Sequence, residues 1–238
     1  MSESLRVLCM IPVYNEEENL ANTIQSIREY NYGISKFLFI DSCSSDNSKN
    51  ILDNQEFEVI RLSSNKGIGL TIITAIKYCI ENNYDIITLI HGGNKMDTKD
   101  FPVILDPIFY EDFDCIWGSR FLEDTSINMP KFRKNVNPIL SNIVSKFFNK
   151  KVTDATNGFR AYKIETILKI LPRFDRKWLY GYSFEGFLFG KMLQNKDLKS
   201  KEVPVTIKYH DKKTNTKIRP IIDYPSIVLP YFLAKYID

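Results

Sequence analysis

The stretch VLCMIPVYNEEENLANTIQSIREYNYGISKFLFIDS, residues 7–42, carries the pattern that decides the fold. An apolar run from Val7 to Ile11 is followed by a helix-like segment from about Leu20 to Tyr30, and a second apolar run extends from Phe37 to Ile40. Short apolar runs separated by one helical segment are typical of parallel strands joined by a helical crossover. Residues 7–42 therefore predict a βαβ unit.

The same alternation continues through the first half of the chain. The chain has 238 residues, of which 44% are hydrophobic, and this is enough to bury one substantial core. We predict an α/β fold in a single domain, with a mixed, mostly parallel sheet flanked by helices. The further strands are expected at residues 59–62, 86–90 and 115–118, and the further helices at residues 48–54, 69–81 and 101–109.

Charge and cysteine content narrow the class of protein. Lys and Arg number 32 against 29 Asp and Glu, so the formal net charge is +3 and bulk nucleic-acid binding is not expected. The four cysteines form no CxxC pair and we find no signal peptide, which predicts reduced thiols in a cytoplasmic protein. No run reaches the ~20 apolar residues of a membrane span, so we expect a soluble or peripheral protein.

Polar or turn-forming residues follow almost every predicted strand. In parallel sheets ligands bind beyond the carboxyl ends of the strands, so these residues are the first candidates for a binding site. Asn, Asp, Ser and Gly also form ordinary turns and helix caps, which is the simpler explanation for any one loop. Five such loops on one edge favour a site. They are PVYNE (12–16), DSCSSD (41–46), SSNKGIG (63–69), HGGNK (91–95) and GSR (118–120).

The pattern changes from about Met129. A basic helical stretch between residues 131 and 151 leads to the segment TDATNGFR at residues 153–160. We then predict a helix at residues 182–194 and a strand at residues 201–209. An apolar tail rich in Ile, Leu, Tyr and Pro ends the sequence.

Eight motifs occur in a fixed order: IPVYNEEENL, IDSCSSDNS, NKGIG, the turn after the fourth strand, WGSR, TDATNGFRAY, YSFE and VPVTIKYHDKKTNTKIRP. In this order they resemble family 2 glycosyltransferases of the GT-A fold, a Rossmann-like α/β fold. The branch they resemble is that of the dolichyl- or polyprenyl-phosphate mannose and glucose synthases. The resemblance covers roughly residues 5–220, and the order is more specific than any one motif. It implies a GT-A domain at residues 1–220 and a tail at residues 221–238.

The resemblance implies that the loops after the first two strands hold a nucleotide-diphosphate sugar, either a UDP-sugar or a GDP-sugar. Tyr14 can stack on a base, Glu16 and Asp41 can accept hydrogen bonds from ring N–H or hydroxyl groups, and a proline keeps its loop rigid. Asp46 is more simply explained as a helix cap. The predicted donor-binding residues are Pro12, Tyr14, Glu16, Asp41, Lys66, His91, Gly92, Gly93 and Lys95.

Members of the family usually carry an Asp-x-Asp motif in the turn after the fourth strand, and its second carboxylate binds Mg²⁺ or Mn²⁺ on the donor diphosphate. Other relatives read His-Gly-Asp-x-Gln at this turn. Here this turn reads His91-Gly92-Gly93, and Ser42 replaces the second acidic residue after strand two. We therefore predict no metal ligands of the family's usual kind, with Mg²⁺ or Mn²⁺ as the cofactor if the family mechanism is retained. Lys95 is either a substitute charge for the diphosphate or a solvated loop lysine.

On the acceptor side, the resemblance makes Asp154 the first choice for a catalytic base or acceptor-orienting carboxylate, and Glu185 the second. Arg120 and Arg133 match positions that meet phosphates in the lipid-phosphate branch, and a guanidinium suits phosphate geometry. The loop DKKTNTK, which contains Lys217, is either a further phosphate-binding segment or a solvated loop.

Three functions follow from this interpretation. The first is an inverting glycosyltransferase that moves a sugar from a nucleotide-diphosphate sugar to a polyprenyl phosphate or a surface-glycan acceptor. The second is a catalytically impaired nucleotide-sugar-binding or scaffold protein of the same fold, because the HGGNK turn lacks the metal carboxylate. A nucleotidyltransferase is a weaker candidate, since the sequence lacks a glycine-rich, basic N-terminal phosphate loop.

The expected location is cytoplasmic, with peripheral binding to the inner face of a membrane that holds a lipid-phosphate acceptor. The apolar tail could pack on the domain, on a partner subunit in a homo-oligomer, or on an anionic membrane surface. Because residues 221–238 carry no net positive charge, we favour packing or oligomer contact for the tail.

Overall fold

A computed structural model describes residues 5–123, 126–209 and 220–237. The strands in these ranges are β1 (Val7–Val13), β2 (Lys36–Asp41), β3 (Glu58–Arg61), β4 (Ile86–Leu89), β5 (Cys115–Ser119), β6 (Arg160–Lys163) and β7 (Ser200–Pro204). They form one sheet in the order β3-β2-β1-β4-β6-β5-β7. Neighbouring strands run parallel except β6, which is antiparallel to both β4 and β5.

Helices flank this sheet. In the described ranges they are α1 (Leu20–Glu29), α2 (Ser48–Asp53), α3 (Ile68–Glu81), α4 (Phe101–Tyr110), α5 (Lys131–Phe148), α6 (Ile164–Ile170), α7 (Ser183–Gln194) and α8 (Pro220–Leu233). Every strand and helix predicted in the first half is present, with bounds that differ by at most two residues. The predicted fold class, a mostly parallel α/β sheet in one domain, is confirmed.

The apolar pattern of the opening βαβ unit explains its structure. All seven residues of β1 are buried, because this strand lies between β2 and β4 and is covered on both faces. In α1 the buried positions Leu20, Ile24 and Ile27 recur every three or four residues and face the sheet. The carboxyl end of β1 is thereby fixed at the centre of the sheet edge.

The sequence prediction was wrong in two places in the second half. It missed β6, which has only four residues and pairs with strands far away in sequence. It also extended the last strand to Tyr209, whereas β7 ends at Pro204, since a proline has no N–H to continue the ladder. Beyond it, Ile207 forms an isolated bridge with Met96, and Lys208 forms one with Ile127.

The apolar tail contains α8, which packs against α7. Two glycines on α7 allow the close approach: a Cβ atom on Gly190 would lie 2.6 Å from Ala234 Cβ, and one on Gly186 would lie 2.8 Å from Ile227 O. Packing on the domain is thus observed for this helix, while its contact with a partner or a membrane stays a prediction. None of the helices in the described ranges combines the length and the apolar character needed to cross a bilayer.

Candidate active site

A cavity of about 670 Å³ opens at the carboxyl ends of the parallel strands. Val13 at the end of β1, Ser42 after β2, His91 after β4 and Arg120 after β5 all contribute to its wall. Helices α5 and α8 close other sides of it. Nine residues predicted from sequence lie on the wall, namely Pro12, Tyr14, Glu16, His91, Gly93, Lys95, Arg120, Arg133 and Glu185.

Asp41, predicted to bind the donor, is not part of the wall. It is 3% exposed, and its Oδ1 accepts a hydrogen bond from Ser44 N at 3.0 Å. The neighbouring Ser42 is on the wall instead, because successive residues at a strand end point in opposite directions. Ser42 Oγ lies 3.0 Å from Thr71 Oγ1, a second hydroxyl on the wall. Asp41 thus holds the turn after β2, and the hydroxyl groups of Ser42 and Thr71 face the cavity at this point.

Other predicted donor-binding residues also lie away from the wall. Lys66 is exposed, although the residues on either side of it belong to the wall. Gly92 fixes the strand-four turn: its N–H donates to Pro12 O at 3.2 Å, and its carbonyl accepts from Thr23 Oγ1 at 2.8 Å. Lys217 and its loop fall outside the described residues.

The loops after β1 and β2 are joined into one unit by hydrogen bonds. Asn15 N donates to Ser44 Oγ at 3.0 Å, and Glu16 N donates to Ser48 Oγ at 2.9 Å. Asp46 Oδ1 accepts from Ser48 N at 3.0 Å, and Asp46 Oδ2 accepts from Glu17 N at 3.0 Å, so this side chain connects the start of α2 with the loop after β1. The loop that carries the predicted base-stacking tyrosine is therefore held in place at the cavity rim.

The strand-four turn faces Glu16. A Cβ atom on Gly93 would lie 3.1 Å from Glu16 Oε2, so the glycine leaves room for that carboxylate. Asn94 has a φ of +50°, in the left-handed region, which makes the turn tight. The carbonyl of Lys95 accepts a hydrogen bond from Lys208 N at 2.7 Å. The turn is thereby attached to the segment that follows β7.

His91 and Glu185 face the same point of the cavity. A Cβ atom on Gly158 would lie 3.2 Å from His91 Nε2 and 3.2 Å from Glu185 Oε1. Burial, and then the charge of Lys95, lower the pKa of His91 to about 4, so this imidazole is neutral near pH 7. Burial raises the pKa of Glu185, and the charge of Arg160 offsets part of this rise. A carboxylate with a raised pKa on a cavity wall is a candidate proton acceptor.

Arg120 and Asp154 form a buried bidentate pair. Arg120 Nε donates to Asp154 Oδ2 at 2.6 Å, and Arg120 Nη2 donates to Asp154 Oδ1 at 2.7 Å. Arg120 Nη1 donates to Tyr209 Oη at 2.5 Å. Arg120 is on the cavity wall, whereas Asp154 is fully buried behind it. Because both Asp154 oxygens hold the guanidinium, this geometry favours Asp154 as the residue that orients Arg120.

The N-terminus of α3 is closed by the protein's own backbone. Gly69 N donates to Gly181 O at 3.0 Å, and Leu70 N donates to Tyr180 O at 2.9 Å. A Cβ atom on Gly69 would lie 1.9 Å from Leu179 O, so only glycine allows this contact. These two N–H groups of the helix start are therefore used by residues 180–181 rather than by a phosphate.

One buried donor on the cavity wall lacks a protein partner. Asn157 is 3% exposed, and its Nδ2 has no hydrogen-bond acceptor in the part of the chain that the structure describes. Its Oδ1 accepts from Phe159 N at 3.0 Å. This bond fixes the amide, because the flipped amide would direct its NH₂ group at another N–H. A ligand oxygen in the cavity would satisfy the donor.

Comparison with known proteins identifies the family. The family model described as "Glycosyl transferase family 2" matches residues 9–171, which is more than half of the chain. The chain belongs to glycosyltransferase family 2. One relative is the UDP-N-acetylglucosamine--dolichyl-phosphate N-acetylglucosaminyltransferase of Methanococcus voltae. This family 2 chain is 27% identical to it over 254 aligned positions, which cover 98% of each protein.

Two further comparisons concern a relative and a solved structure of similar fold. The undecaprenyl-phosphate mannosyltransferase of Micrococcus luteus is 27% identical over 188 positions, covering 76% of the chain and 75% of that protein. The glucosyl-3-phosphoglycerate synthase of Mycobacterium tuberculosis, solved with Mn²⁺, UDP-glucose and phosphoglyceric acid, superposes with a TM-score of 0.71 at 14% identity. That superposition covers 97% of the chain and 79% of the synthase, and it supports the GT-A fold.

The family 2 fold raises the question whether this chain can hold a divalent ion. Mg²⁺ and Mn²⁺ prefer several charged oxygen ligands. Across the described residues, no group of three His, Cys, Asp or Glu side chains is placed to hold a metal ion. At the strand-four turn, the wall offers the carboxylate of Glu16 and the neutral imidazole of His91, next to Gly93. This donor set does not fit a divalent ion bound through two carboxylates.

Sequence reasoning missed several residues on the wall of this family 2 cavity. Thr156 and Asn157 lie within the motif TDATNGFR, so their polar side chains were a usable signal. Asp223, Ile227 and Tyr231 come from α8, and nothing in the apolar tail distinguishes them. Tyr231 Oη donates to Ala155 O at 2.6 Å, which attaches α8 to the same motif.

Proposed function

We propose that the protein is an inverting glycosyltransferase that moves a sugar from a nucleotide-diphosphate sugar to a polyprenyl phosphate. The observation that carries the proposal is the cavity at the carboxyl edge of a family 2 fold, whose wall includes the arginines Arg120 and Arg133. Relatives named for dolichyl-phosphate and undecaprenyl-phosphate transfer support the acceptor class. A surface-glycan hydroxyl is the alternative acceptor.

The donor would lie across the loops after β1 and β2. Tyr14 at the rim offers a ring for stacking on a nucleobase, and Glu16 offers acceptor oxygens. Ser42 and Thr71 provide the hydroxyl groups for the next part of the nucleotide. In this arrangement Asp41 contributes by holding the turn that places Ser42.

The reaction is a single displacement at the anomeric carbon. An acceptor oxygen attacks C1 of the sugar from the face opposite the diphosphate, a C1–O bond to the acceptor forms, and the C1–O bond to the diphosphate breaks. The nucleotide diphosphate leaves with the electron pair of that bond, and the configuration at C1 inverts. A phosphate acceptor is already an anion, whereas a hydroxyl acceptor must give its proton to a base.

For a hydroxyl acceptor, Glu185 is the base in this proposal. Its carboxylate is on the wall and its pKa is raised, while Asp154 is fully buried in its pair with Arg120. With a phosphate acceptor, the same carboxylate would mainly position the reacting groups. Arg120, oriented by Asp154, and Arg133 would bind the acceptor phosphate.

The charge on the leaving diphosphate would be stabilised by the protein itself. Lys95 is on the wall, two residues after Gly93. Gly93 is the position at which the family's metal carboxylate is expected. An ammonium group and backbone N–H groups stabilise a diphosphate less well than a doubly charged ion. We therefore propose that turnover is slow and does not require a divalent metal. We also propose that the protein binds peripherally to the cytoplasmic face of a membrane.

A transfer assay tests this function. Purified protein is incubated with a panel of UDP- and GDP-sugars and a short-chain polyprenyl phosphate, with EDTA or with Mn²⁺, and glycolipid formation is followed. We expect inverted product in EDTA, and loss of about tenfold or more in Lys95→Ala. Nucleotide-sugar binding without turnover in either condition would instead support a catalytically impaired binding or scaffold protein. Activity that strictly requires Mn²⁺ would contradict the metal-independent proposal.

A further inference from the structure

Helix α5 has an apolar stripe on its outer face. Phe132, Ile139 and Ile143 are 52%, 61% and 50% exposed. Spacings of seven and four residues place these three side chains on one side of a helix with 3.6 residues per turn. The buried residues of the helix, Asn137, Leu140, Ser141 and Val144, face the domain instead. We call the three exposed residues the α5 stripe.

The charged residues of α5 are all basic. Lys131, Lys134 and Lys146 are exposed on the same helix, Arg133 is partly exposed, and residues 131–148 contain no Asp or Glu. A helix with an apolar stripe and a basic polar face has the composition of helices that lie in a membrane interface. A second copy of the helix, packed on the stripe, would bring like charges together.

The α5 stripe lies next to the cavity. Arg133 and Asn137 belong to the same helix and are on the cavity wall. Helix α8 adjoins α5 through the rings of Phe147 and Phe232, whose centroids are 4.8 Å apart. Like α5, α8 has wall residues and an exposed apolar one, Leu229, which is 55% exposed. A surface that contacts α5 from outside would therefore lie close to the cavity.

We infer that the α5 stripe is the docking surface for an anionic lipid bilayer. Phe132, Ile139 and Ile143 enter the interface, and the lysines contact the headgroups. Docking in this way holds the cavity near the headgroup layer, where a lipid-linked phosphate can reach Arg133. The docking itself does not depend on catalysis, whereas its use for acceptor delivery rests on the proposed function.

Vesicle sedimentation tests the docking. The full chain is mixed with vesicles of phosphatidylcholine alone, or with vesicles in which about 30% of the lipid is the anionic phosphatidylglycerol. We expect binding only to the anionic vesicles, weakened by salt. The double variant Ile139→Ser with Ile143→Ser should lose about tenfold or more of this binding. Ile80→Ser, which alters a 42% exposed residue of α3, is the matched control and should bind like the natural protein.

Two results would overturn the inference. One is equal binding of the natural protein and the double variant to anionic vesicles. The other is a concentration-dependent dimer, seen by sedimentation equilibrium, that the double variant abolishes, because the stripe would then be a contact between copies. Thermal unfolding checks that each variant is folded. Transfer to a water-soluble short-chain acceptor should be unchanged in the double variant, so failure of the docking and failure of the transferase proposal remain distinguishable.

Discussion

At the scale of single residues, Glu185 and Asp154 have different environments, and their variants should behave differently. A base must be deprotonated, so activity that depends on Glu185 is present above its raised pKa and is lost as the pH falls through it. We expect Glu185→Gln to lower kcat/KM about 10²-fold for a hydroxyl acceptor. It should also remove the acidic limb of the pH profile, that is, the fall in activity at low pH. Asp154→Asn should retain the limb and raise the acceptor KM through misplacement of Arg120. If Asp154→Asn also lost the fall in activity at low pH, Asp154 would be the base.

The Asn157 Nδ2 donor, which has no hydrogen-bond acceptor among the described residues, can be tested by substitution. Asn157→Asp keeps an oxygen for Phe159 N but replaces the Nδ2 donor with an acceptor. We expect the affinity for a nucleotide-diphosphate sugar or for a short-chain polyprenyl phosphate to fall by roughly 1–3 kcal/mol, measured by calorimetry. Trp117→Phe removes the other buried donor without a partner in the described residues, away from the wall, and should leave both affinities unchanged. Unchanged affinities in Asn157→Asp would mean that neither ligand meets this amide.

The space beside Gly93 allows a gain-of-function test. Its nearest neighbour is the end of the Glu16 side chain, so Gly93→Asp should be accommodated and should place two carboxylates together. We expect this variant to bind Mn²⁺, detected by electron paramagnetic resonance, because paired carboxylates are suitable hard ligands. Gly93→Asn is the uncharged control, and Glu16→Gln added to Gly93→Asp should remove the binding. Equally tight Mn²⁺ binding by the natural protein would contradict our description of the turn.

At the scale of elements, the contact between the start of α3 and residues 179–181 should be sensitive to one methyl group. Gly69→Ala would place Cβ 1.9 Å from Leu179 O, so this segment must shift. We expect a loss of roughly 1–3 kcal/mol in the free energy of unfolding, measured in urea. Gly181→Ala, in the same contact, is the matched control: its Cβ meets nothing within 4 Å, and its effect should stay within about 0.5 kcal/mol. Equal stability of the two variants would refute the packing argument.

The same scale shows what could be predicted from sequence. Strands β1 to β5 were predictable because each is a short apolar run followed by a periodic helix. Strand β6 was not, because its four residues are defined by pairing with β4 and β5 rather than by their own pattern. In the candidate site, the edge that holds it was predictable from topology. The orientation of Asp41 against Ser42, and the burial of Asp154 behind Arg120, depend on packing that no local pattern encodes.

At the scale of the whole molecule, two partly buried groups, His91 and Asp100, should have opposite effects on stability in acid. Because the folded pKa of His91 is about 4, below the ordinary 6.5, its contribution to stability falls as the pH falls from 6.5 to 4. Burial raises the pKa of Asp100 from 3.8 to about 6, so its contribution increases as the pH falls from 6 to 3.8. We expect His91→Asn to be stabilised, relative to the natural protein, as the pH falls through this window, and Asp100→Asn to show the opposite trend. Urea unfolding at pH 4.5 and 7 checks both; parallel trends would contradict the assignment.

The position of β6 has a consequence for the order of folding. Strands β1, β2 and β3 pair within residues 7–61, whereas β4 and β6 join the sheet across long intervening segments, with Val7 beside Ile86 and Ile87 beside Tyr162. Closing such a loop costs conformational entropy, so non-local pairings generally form late. The loops after β1 and β2 belong to the early part, whereas His91, Asn157 and Glu185 belong to the late part. We therefore expect a folding intermediate with paired β1, β2 and β3 to lack the cavity walls formed by the turn after β4, residues 156–158 and α7.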